Sequence, residues 1–532
     1  MSPHLIIGLI GLQKMTPVST KKILLAMLSG LILTASFPPG RLDWMVWFAL
    51  VPLLRSLDDE SPSQAFLLGF VAGLVHYLTL IYWIVPTLKN YGNLSFLISV
   101  CVLLLLCLYL ALYPAVFSYL ICHMKGSRFL VFMMASLWVG LELIRANVLT
   151  GFPWCLLGYT QFRHLILIQI ADLVGVYGIS FIIILSNGLI YHLFFDRSSL
   201  KKRGLKLETL GLLLVAFFTL TYGQYRLAAD QANDEGKKSI KVAIIQGNID
   251  QSIKWNPAYQ EKTVVTYHRL TRSASSFEPD LIVWPETSLP FFFQDNMKFS
   301  HRVLEISRES GADLIFGSPA YKRKASGTKY YNRVYLLSHK GELSGYYDKV
   351  HLVPFGEYVP LKRFLPFIHR LVQAAGDFAS GEKIEPLRLS HLSAAILICF
   401  EVIFPELARA QTRKGAEILV NLTNDAWFGP TSAPYQHLNM AVFRAVENGR
   451  PMIRAANTGF SAFIGPQGKV ITRSELFKEE VLKRRVKLAP YSLSFYTRYG
   501  DLFAFALLMI SLIKIFHVLC YNKIISVRSN RS

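Results

Sequence analysis

Apolar stretches long enough to approach or exceed the thickness of a bilayer recur through the first 225 residues. They lie at roughly 23–38, 43–57, 64–86, 94–122, 129–147, 164–195 and 205–225, with one more at about 500–520. Such a stretch must satisfy its backbone polar groups without water, and a helix does this within a single segment. The pattern therefore predicts eight membrane spans. The first two are short for a hydrocarbon layer of about 30 Å, and Pro38-Pro39-Gly40 forces a break between them. With 52% hydrophobic residues the chain is too apolar for a simple soluble protein, yet its second half is too charged for a pure bundle. At least one folded domain outside the membrane is expected beside the spans.

Loop charges orient the spans. With the N-terminus inside, the cytoplasmic side receives Lys21, Lys22, Arg55, Lys125, Arg128, the basic run Arg197–Lys206, and Lys523, Arg528 and Arg531. The opposite short loops carry only Arg41, Lys89, Arg145 and Arg163. This asymmetry places residues 226–498 outside the cytoplasm. The net charge of +21 fits the same bias and attraction to anionic headgroups. A nucleic-acid partner is not indicated, because no stretch joins a basic face to a recognisable binding module. Residues 1–22 hold a short apolar run, Pro3–Leu12, and Lys21 and Lys22 follow Met15. The clearest cleavage candidate, Thr34-Ala35-Ser36, is followed by more apolar sequence, so an uncleaved start is expected, with Met1 and Met15 both open as initiators. Glu142, Arg145 and Asp172 fall in or at the ends of spans, and a structural role is the favoured reading for them.

Asp230–Lys238 is a polar linker, after which the periodicity changes. Strands are expected at Ile240–Ile245, Leu281–Trp284, Asp313–Phe316, Ala394–Ile398, Glu417–Asn421, Pro451–Ala456 and Phe460–Ile464, with a hairpin of Tyr330–Leu337 and Glu342–Asp348. Helices are expected at Tyr259–Ser275, Phe299–Ser310, after Pro405, and over Gln436–Glu447. Paired strand–helix units of this kind fit a two-sheet α/β sandwich. The expected organisation is 1–22 as an N-terminal segment, 23–229 as a membrane bundle, 238–488 as the α/β domain, and 489–532 as a last span and tail.

Three stretches in that domain carry chemistry. Ser393–Glu406 (SAAILICFEVIFPE) brings a buried strand to Cys399, just before a helix. By itself this admits two readings, a nucleophile or one more small core residue. Asp280–Pro290 (DLIVWPETSLP) delivers Glu286 at the end of another strand, and Tyr346–Pro360 (YYDKVHLVPFGEYVP) carries Lys349 and Glu357. A carboxylate, an ammonium and a thiol at separate strand ends form a sufficient set: the carboxylate takes the thiol proton, the thiolate attacks a carbonyl, and the ammonium stabilises the oxyanion. Cys399 is the only cysteine of the expected α/β domain; Cys101, Cys107, Cys122, Cys155 and Cys520 lie in or near apolar segments. Neither a disulfide framework nor a zinc site is suggested by their spacing.

The WPE, DKVHLVPFGEYVP and CFE motifs resemble the Glu–Lys–Cys set of the nitrilase (carbon–nitrogen hydrolase) superfamily. Attached to a polytopic bundle, they resemble its membrane-embedded branch, the bacterial apolipoprotein N-acyltransferases, over nearly the whole chain. The resemblance implies an αββα domain, with Glu286 as base, Lys349 as oxyanion cation and Cys399 as nucleophile. It also implies supporting roles for Glu357, Glu401 and the backbone N–H of Phe400. Glu357 and Glu401 remain open to a purely structural reading. The family commonly has Tyr after the nucleophile, so the phenol is lost at Phe400. Trp255 and Trp427 match as pocket walls and Asn424 as a backbone organiser. The implied reaction is ping-pong: a phospholipid gives an acyl chain to Cys399, which passes it to the N-terminal amine of a diacylglyceryl apolipoprotein. The implied setting is the bacterial inner membrane with the domain on the periplasmic side, and no cofactor or metal is called for. A membrane-tethered amidase releasing acid to water is the alternative. Finally, Leu289–Phe293 and Pro360–Leu371 combine Phe with nearby Lys or Arg, the composition of an interfacial lid, though ordinary core is the competing reading.

Overall fold

The computed structural model describes residues 17–196, 203–232, 238–325, 327–358, 378–488 and 492–529. Among these, five helices are long and apolar enough to cross a membrane: Pro62–Leu80, Phe96–His123, Leu130–Asn147, Ala171–Phe195 and Arg203–Ala229. Leu502–Val518 is a shorter apolar helix, and Thr20–Ala35 has 16 residues. Ala171–Phe195 is the central helix, with 72% of the residues in its 18-residue apolar window buried, against 28% and 22% for the windows of Phe96–His123 and Arg203–Ala229. The outer helices turn Leu97, Leu105, Leu213 and Phe217 outward, which is the surface a bilayer would cover.

The expected span at 43–57 is corrected. It is a short 3₁₀ segment, Asp43–Phe48, followed by a six-residue helix, Val51–Ser56. The break is tolerated because Asn187 on the central helix serves its backbone: Oδ1 accepts from Leu50 N at 2.7 Å and Nδ2 donates to Val46 O at 2.9 Å. The expected span at 164–195 likewise divides into Leu165–Ile168 and Ala171–Phe195. The charges inside the bundle have partners, as a structural role requires. Glu142 accepts from Leu157 N at 2.7 Å, Arg145 donates to Tyr77 OH at 3.0 Å, and Asp172 accepts from Tyr222 OH at 2.9 Å and pairs with Arg226 at 2.9 Å.

Among the described residues, the α/β domain has two six-stranded sheets. The first contains β1 (Ser239–Gln246), β2 (Leu281–Val283), β3 (Asp313–Lys324), β4 (Gly327–Leu337) and β5 (Leu343–Asp348). The second contains β6 (Leu387–Arg388), β7 (Ser393–Ile398), β8 (Ile418–Thr423), β9 (Met452–Ala456), β10 (Ala462–Ile464) and β11 (Val470–Arg473). β12 (Glu480–Lys487) returns to the first sheet, so the orders are β12-β1-β2-β3-β4-β5 and β11-β10-β9-β8-β7-β6. Each sheet has three parallel strands at its heart, β1-β2-β3 and β7-β8-β9, with antiparallel strands outside them.

Alternation builds three apolar layers. Val242, Ile244, Val283 and Ile315 face Ile396, Ile398, Val420 and Ile453 between the sheets. Ala243, Ile245, Ile282 and Phe316 face outward onto the helices Gln260–Ser273 and Met297–Ser310. Ala395, Leu397 and Leu419 face the helices Pro405–Arg413 and Ala433–Asn448, in one continuous core with bundle residues such as Leu143, Trp154 and Tyr159. The layering is αββα, and its second helix layer rests directly on the bundle.

The lid expected at Leu289–Phe293 is also corrected. Leu289, Phe291 and Phe293 are buried in the outer core of the first sheet, where Phe293 packs on Phe316 and Tyr335 at 5.0 and 5.1 Å. Aromatic pairing with the sheet outweighs interfacial exposure for these rings. Its other half, Pro360–Leu371, lies outside the described residues.

Candidate active site

The site gathers at the ends of strands from both sheets. β7 delivers Cys399, whose φ of +50° is the left-handed conformation that side-chain-bearing residues seldom adopt. That backbone is braced from behind. His437 Nε2 lies 3.3 Å and Asn421 Nδ2 lies 3.5 Å from the Cys399 carbonyl oxygen. Burial and the Arg454 guanidinium hold His437 below its usual value. His437 Nδ1 lies 3.0 Å from both Asp425 Oδ1 and Arg454 Nη2, so its ring is held between that carboxylate, that guanidinium and the Cys399 carbonyl. Arg454 in turn pairs with Asp425 at 2.7 Å.

β2 leads to Glu286, which is buried. The chain can pass beside β3 there because residue 317 is glycine: a Cβ would stand 2.4 Å from Thr287 N and 2.8 Å from Glu286 Cα. Lys349, after β5, is 1% exposed. Its Nζ lies 2.9 Å from Glu357 Oε2 and 3.7 Å from Glu286 Oε1. Burial opposes its charge, but Glu357, then Glu286 and Cys399, more than offset this and hold the ammonium well above the usual lysine value. The Cys399 thiol is pushed up by burial and by Glu286, with Lys349 pulling the other way.

Glu357 is thus a partner of Lys349, and Glu401 is a brace. Glu401 Oε1 accepts from Tyr347 OH at 3.1 Å, Val350 N at 2.7 Å and His351 N at 3.1 Å, while Oε2 accepts from Ile398 N at 2.7 Å. One carboxylate therefore ties the Cys399 strand end to the Lys349 loop. Burial pushes it up to about 7 against the pull of Ile398 N–H, Lys349 and the other donors. Phe400 packs its ring against Phe404 at 5.2 Å.

Asn424 joins neighbouring loops: Nδ2 donates to Gln251 Oε1 at 2.7 Å, and Oδ1 accepts from Asn457 Nδ2 at 3.1 Å. Trp255 is 49% exposed. Trp427 meets Tyr91 of the membrane part edge-on at 5.6 Å.

Sequence reasoning missed Asn332. Its Nδ2 lies 2.8 Å from both Glu286 Oε1 and Glu357 Oε1, and its carbonyl accepts from Lys349 N at 2.9 Å. It also missed Lys254, buried beside Glu286, and the Asp425–His437–Arg454 group. The available signal for Asn332 was a polar pair, Asn332-Arg333, set between Tyr331 and the apolar run Val334–Leu337 that ends β4.

An αββα sandwich presenting a thiol, an ammonium and carboxylates at its strand ends defines a nitrilase-type domain, here seated on a membrane bundle. The family described as Carbon-nitrogen hydrolase matches residues 241–492, and the Apolipoprotein N-acyltransferase N-terminal domain matches residues 29–189. The chain is 47% identical to the apolipoprotein N-acyltransferase of Geobacter metallireducens over 91% of this chain and 92% of that one. It is 33% identical to that of Haemophilus influenzae, over 88% and 90% of the two chains. Among solved structures, a carbon-nitrogen hydrolase from Helicobacter pylori covers 47% of this chain and 89% of its own, at 19% identity and a TM-score of 0.36. An amidase from Nesterenkonia sp. covers 49% and 92%, at 21% identity and a TM-score of 0.36. The chain belongs to the apolipoprotein N-acyltransferase family.

Proposed function

We propose that this chain transfers a fatty acyl chain from a phospholipid to the N-terminal amine of a diacylglyceryl-cysteine in apolipoproteins, through a thioester on Cys399. The observation that carries the reading is the set of buried Glu286 and Lys349 with half-buried Cys399, lying on a domain whose inner helix layer is continuous with a lipid-facing bundle. A nitrilase-type hydrolase acting on a soluble substrate has no need of that bundle.

In the first half-reaction Glu286 takes the thiol proton as sulfur attacks the ester carbonyl. The C–S bond forms and the carbonyl electron pair moves onto oxygen, where Lys349 and the Phe400 N–H meet the charge. Collapse breaks the C–O bond, and the leaving lysophospholipid oxygen takes the proton from Glu286. In the second half the amine attacks the thioester, Glu286 takes its proton, and Cys399 leaves and is reprotonated. Glu357 keeps Lys349 charged and in place. The loop-charge asymmetry supports a bacterial inner-membrane setting with the site on the periplasmic side.

The test is product analysis with a phospholipid donor, with and without an amine-bearing lipopeptide acceptor. The expected products are lysophospholipid and N-acylated peptide, with little free fatty acid. Free acid released equally fast in both cases would instead support a membrane-tethered amidase.

A further inference from the structure

Lys254 is an anomalous lysine. Its side chain is 1% exposed, yet among the described residues its one hydrogen bond is to the Glu286 backbone oxygen at 3.4 Å, and it pairs with no carboxylate oxygen. A buried ammonium with unspent donors is costly unless something else meets its charge. The charges that act on it are those of Glu286 and Cys399. The ammonium thus stands at the backbone of Glu286, within electrostatic reach of Cys399.

The turn that holds Lys254 is fixed from the opposite sheet. Asn457, after β9, accepts from Ile249 N at 2.9 Å and donates to Ile249 O at 2.8 Å. Asn424, after β8, donates to Gln251 Oε1 at 2.7 Å. The loop leaving β1 is thereby fastened to the strand ends next to that of Cys399, which is how a lysine of the first sheet comes to serve a thiol of the second.

We propose that Lys254 is a second cation of the reaction centre, set by this turn to stabilise the negative charge that Cys399 and the attacked carbonyl carry during acyl transfer. The inference rests on the reading of Cys399 as the nucleophile. Lys254 gains and loses no proton in the cycle: the thiol proton passes to Glu286 and from there to the leaving oxygen, as above. Lys349 is engaged by Glu357 throughout, whereas Lys254 has donors free to follow the charge. Burial pulls Lys254 down to about 8, against Glu286 and Cys399, so it carries its charge at neutral pH and loses it in mild alkali. Besides Lys254, the groups that act on Cys399 are Glu286, Lys349, Asp425 and the Thr423 hydroxyl.

The test is the rate of Cys399 alkylation by iodoacetamide, read by peptide mapping in detergent between about pH 6.5 and 9.5, for the parent and for Lys254→Met. Removing a cation near the thiol raises its pKa by about one unit, so the variant should react about tenfold more slowly at neutral pH. The deficit should close above about pH 8, where the parent also loses this charge; a role in packing alone would give a deficit independent of pH. Phospholipid-dependent acylation should slow in parallel. Equal rates and superimposed profiles, with the parent acylating normally, would overturn the inference. If the variant fails to elute as a folded protein, the parent decides: its logarithmic rate should lose slope near pH 8, and a straight profile would overturn the proposal. A parent that takes no acyl group on Cys399 would instead sink the underlying nucleophile reading.

Discussion

The two helix layers of the sandwich have the same architectural job and opposite surroundings. Gln260–Ser273 and Met297–Ser310 bury one stripe, with Val264, Tyr267, Leu270, Val303 and Ile306, and turn the other to water. Their outward ion pairs are loose, as in Lys298–Glu261, whose side chains are 72% and 65% exposed. In Ala433–Asn448 every residue but Tyr435 is buried, including Gln436, His437, Asn439, Arg444, Glu447 and Asn448. A helix wedged between a sheet and a membrane bundle has no polar face to give to solvent, so most of its polar groups need partners inside. Gln436 Oε1 accepts from Trp83 Nε1 at 3.1 Å and Trp154 Nε1 at 2.8 Å, and its Nε2 donates to Leu80 O at 3.1 Å. Arg444 donates to Tyr159 OH at 2.9 Å and pairs with Glu447 at 2.7 Å. One residue beyond Gln436, His437 reaches the Cys399 carbonyl and stacks on Trp154 at 5.7 Å. The inner layer thus anchors the domain to the bundle and supports the backbone of Cys399; the outer layer only closes the core.

Substitutions should rank accordingly. Cys399→Ala should lower acyl transfer by at least about 10³-fold while leaving thermal unfolding near that of the parent, measured by turnover and calorimetry in the same detergent. Arg444→Met should leave the Glu447 carboxylate buried without its partner and cost about 3–5 kcal/mol of stability, read as a lowered unfolding midpoint. Gln436→Leu should strand two buried indole N–H groups and cost about 1–3 kcal/mol. Lys298→Ala, on the outer layer, should change stability by less than about 0.5 kcal/mol. If Lys298→Ala cost as much as Arg444→Met, the contrast between the layers would be wrong. If Gln436→Leu slowed Cys399 acylation out of proportion to its stability loss, the contrast would sharpen into a coupling between bundle and nucleophile.

What was legible in the sequence was what ends a strand. Glu286, Lys349 and Cys399 each follow a short apolar or aromatic run, so their placement at strand ends could be read from local pattern. Asn332 lies inside β4, where its meaning depends on facing Glu286 across the sheet, a contact between residues far apart in sequence. Lys254 stands in an irregular turn whose position is set by Asn424 and Asn457, and no local periodicity reports that. β12 was missed because EVLKRRVK is charged and borders its sheet, yet it pairs with β1 along eight residues. Leu289–Phe293 misled because consecutive apolar residues read as an exposed patch, whereas the alternation sends Phe291 and Phe293 inward. The span at 43–57 misled because hydropathy does not register a broken backbone whose carbonyls and N–H groups are served by Asn187.

The most direct measurement of the central claim is the intact mass of the purified protein after incubation with phospholipid, followed by peptide mapping. The expected result is a fatty-acyl increment on Cys399 that disappears when a diacylglyceryl-cysteine peptide is added. No increment, an increment on another residue, or one discharged equally fast by water alone would contradict acyl transfer through Cys399.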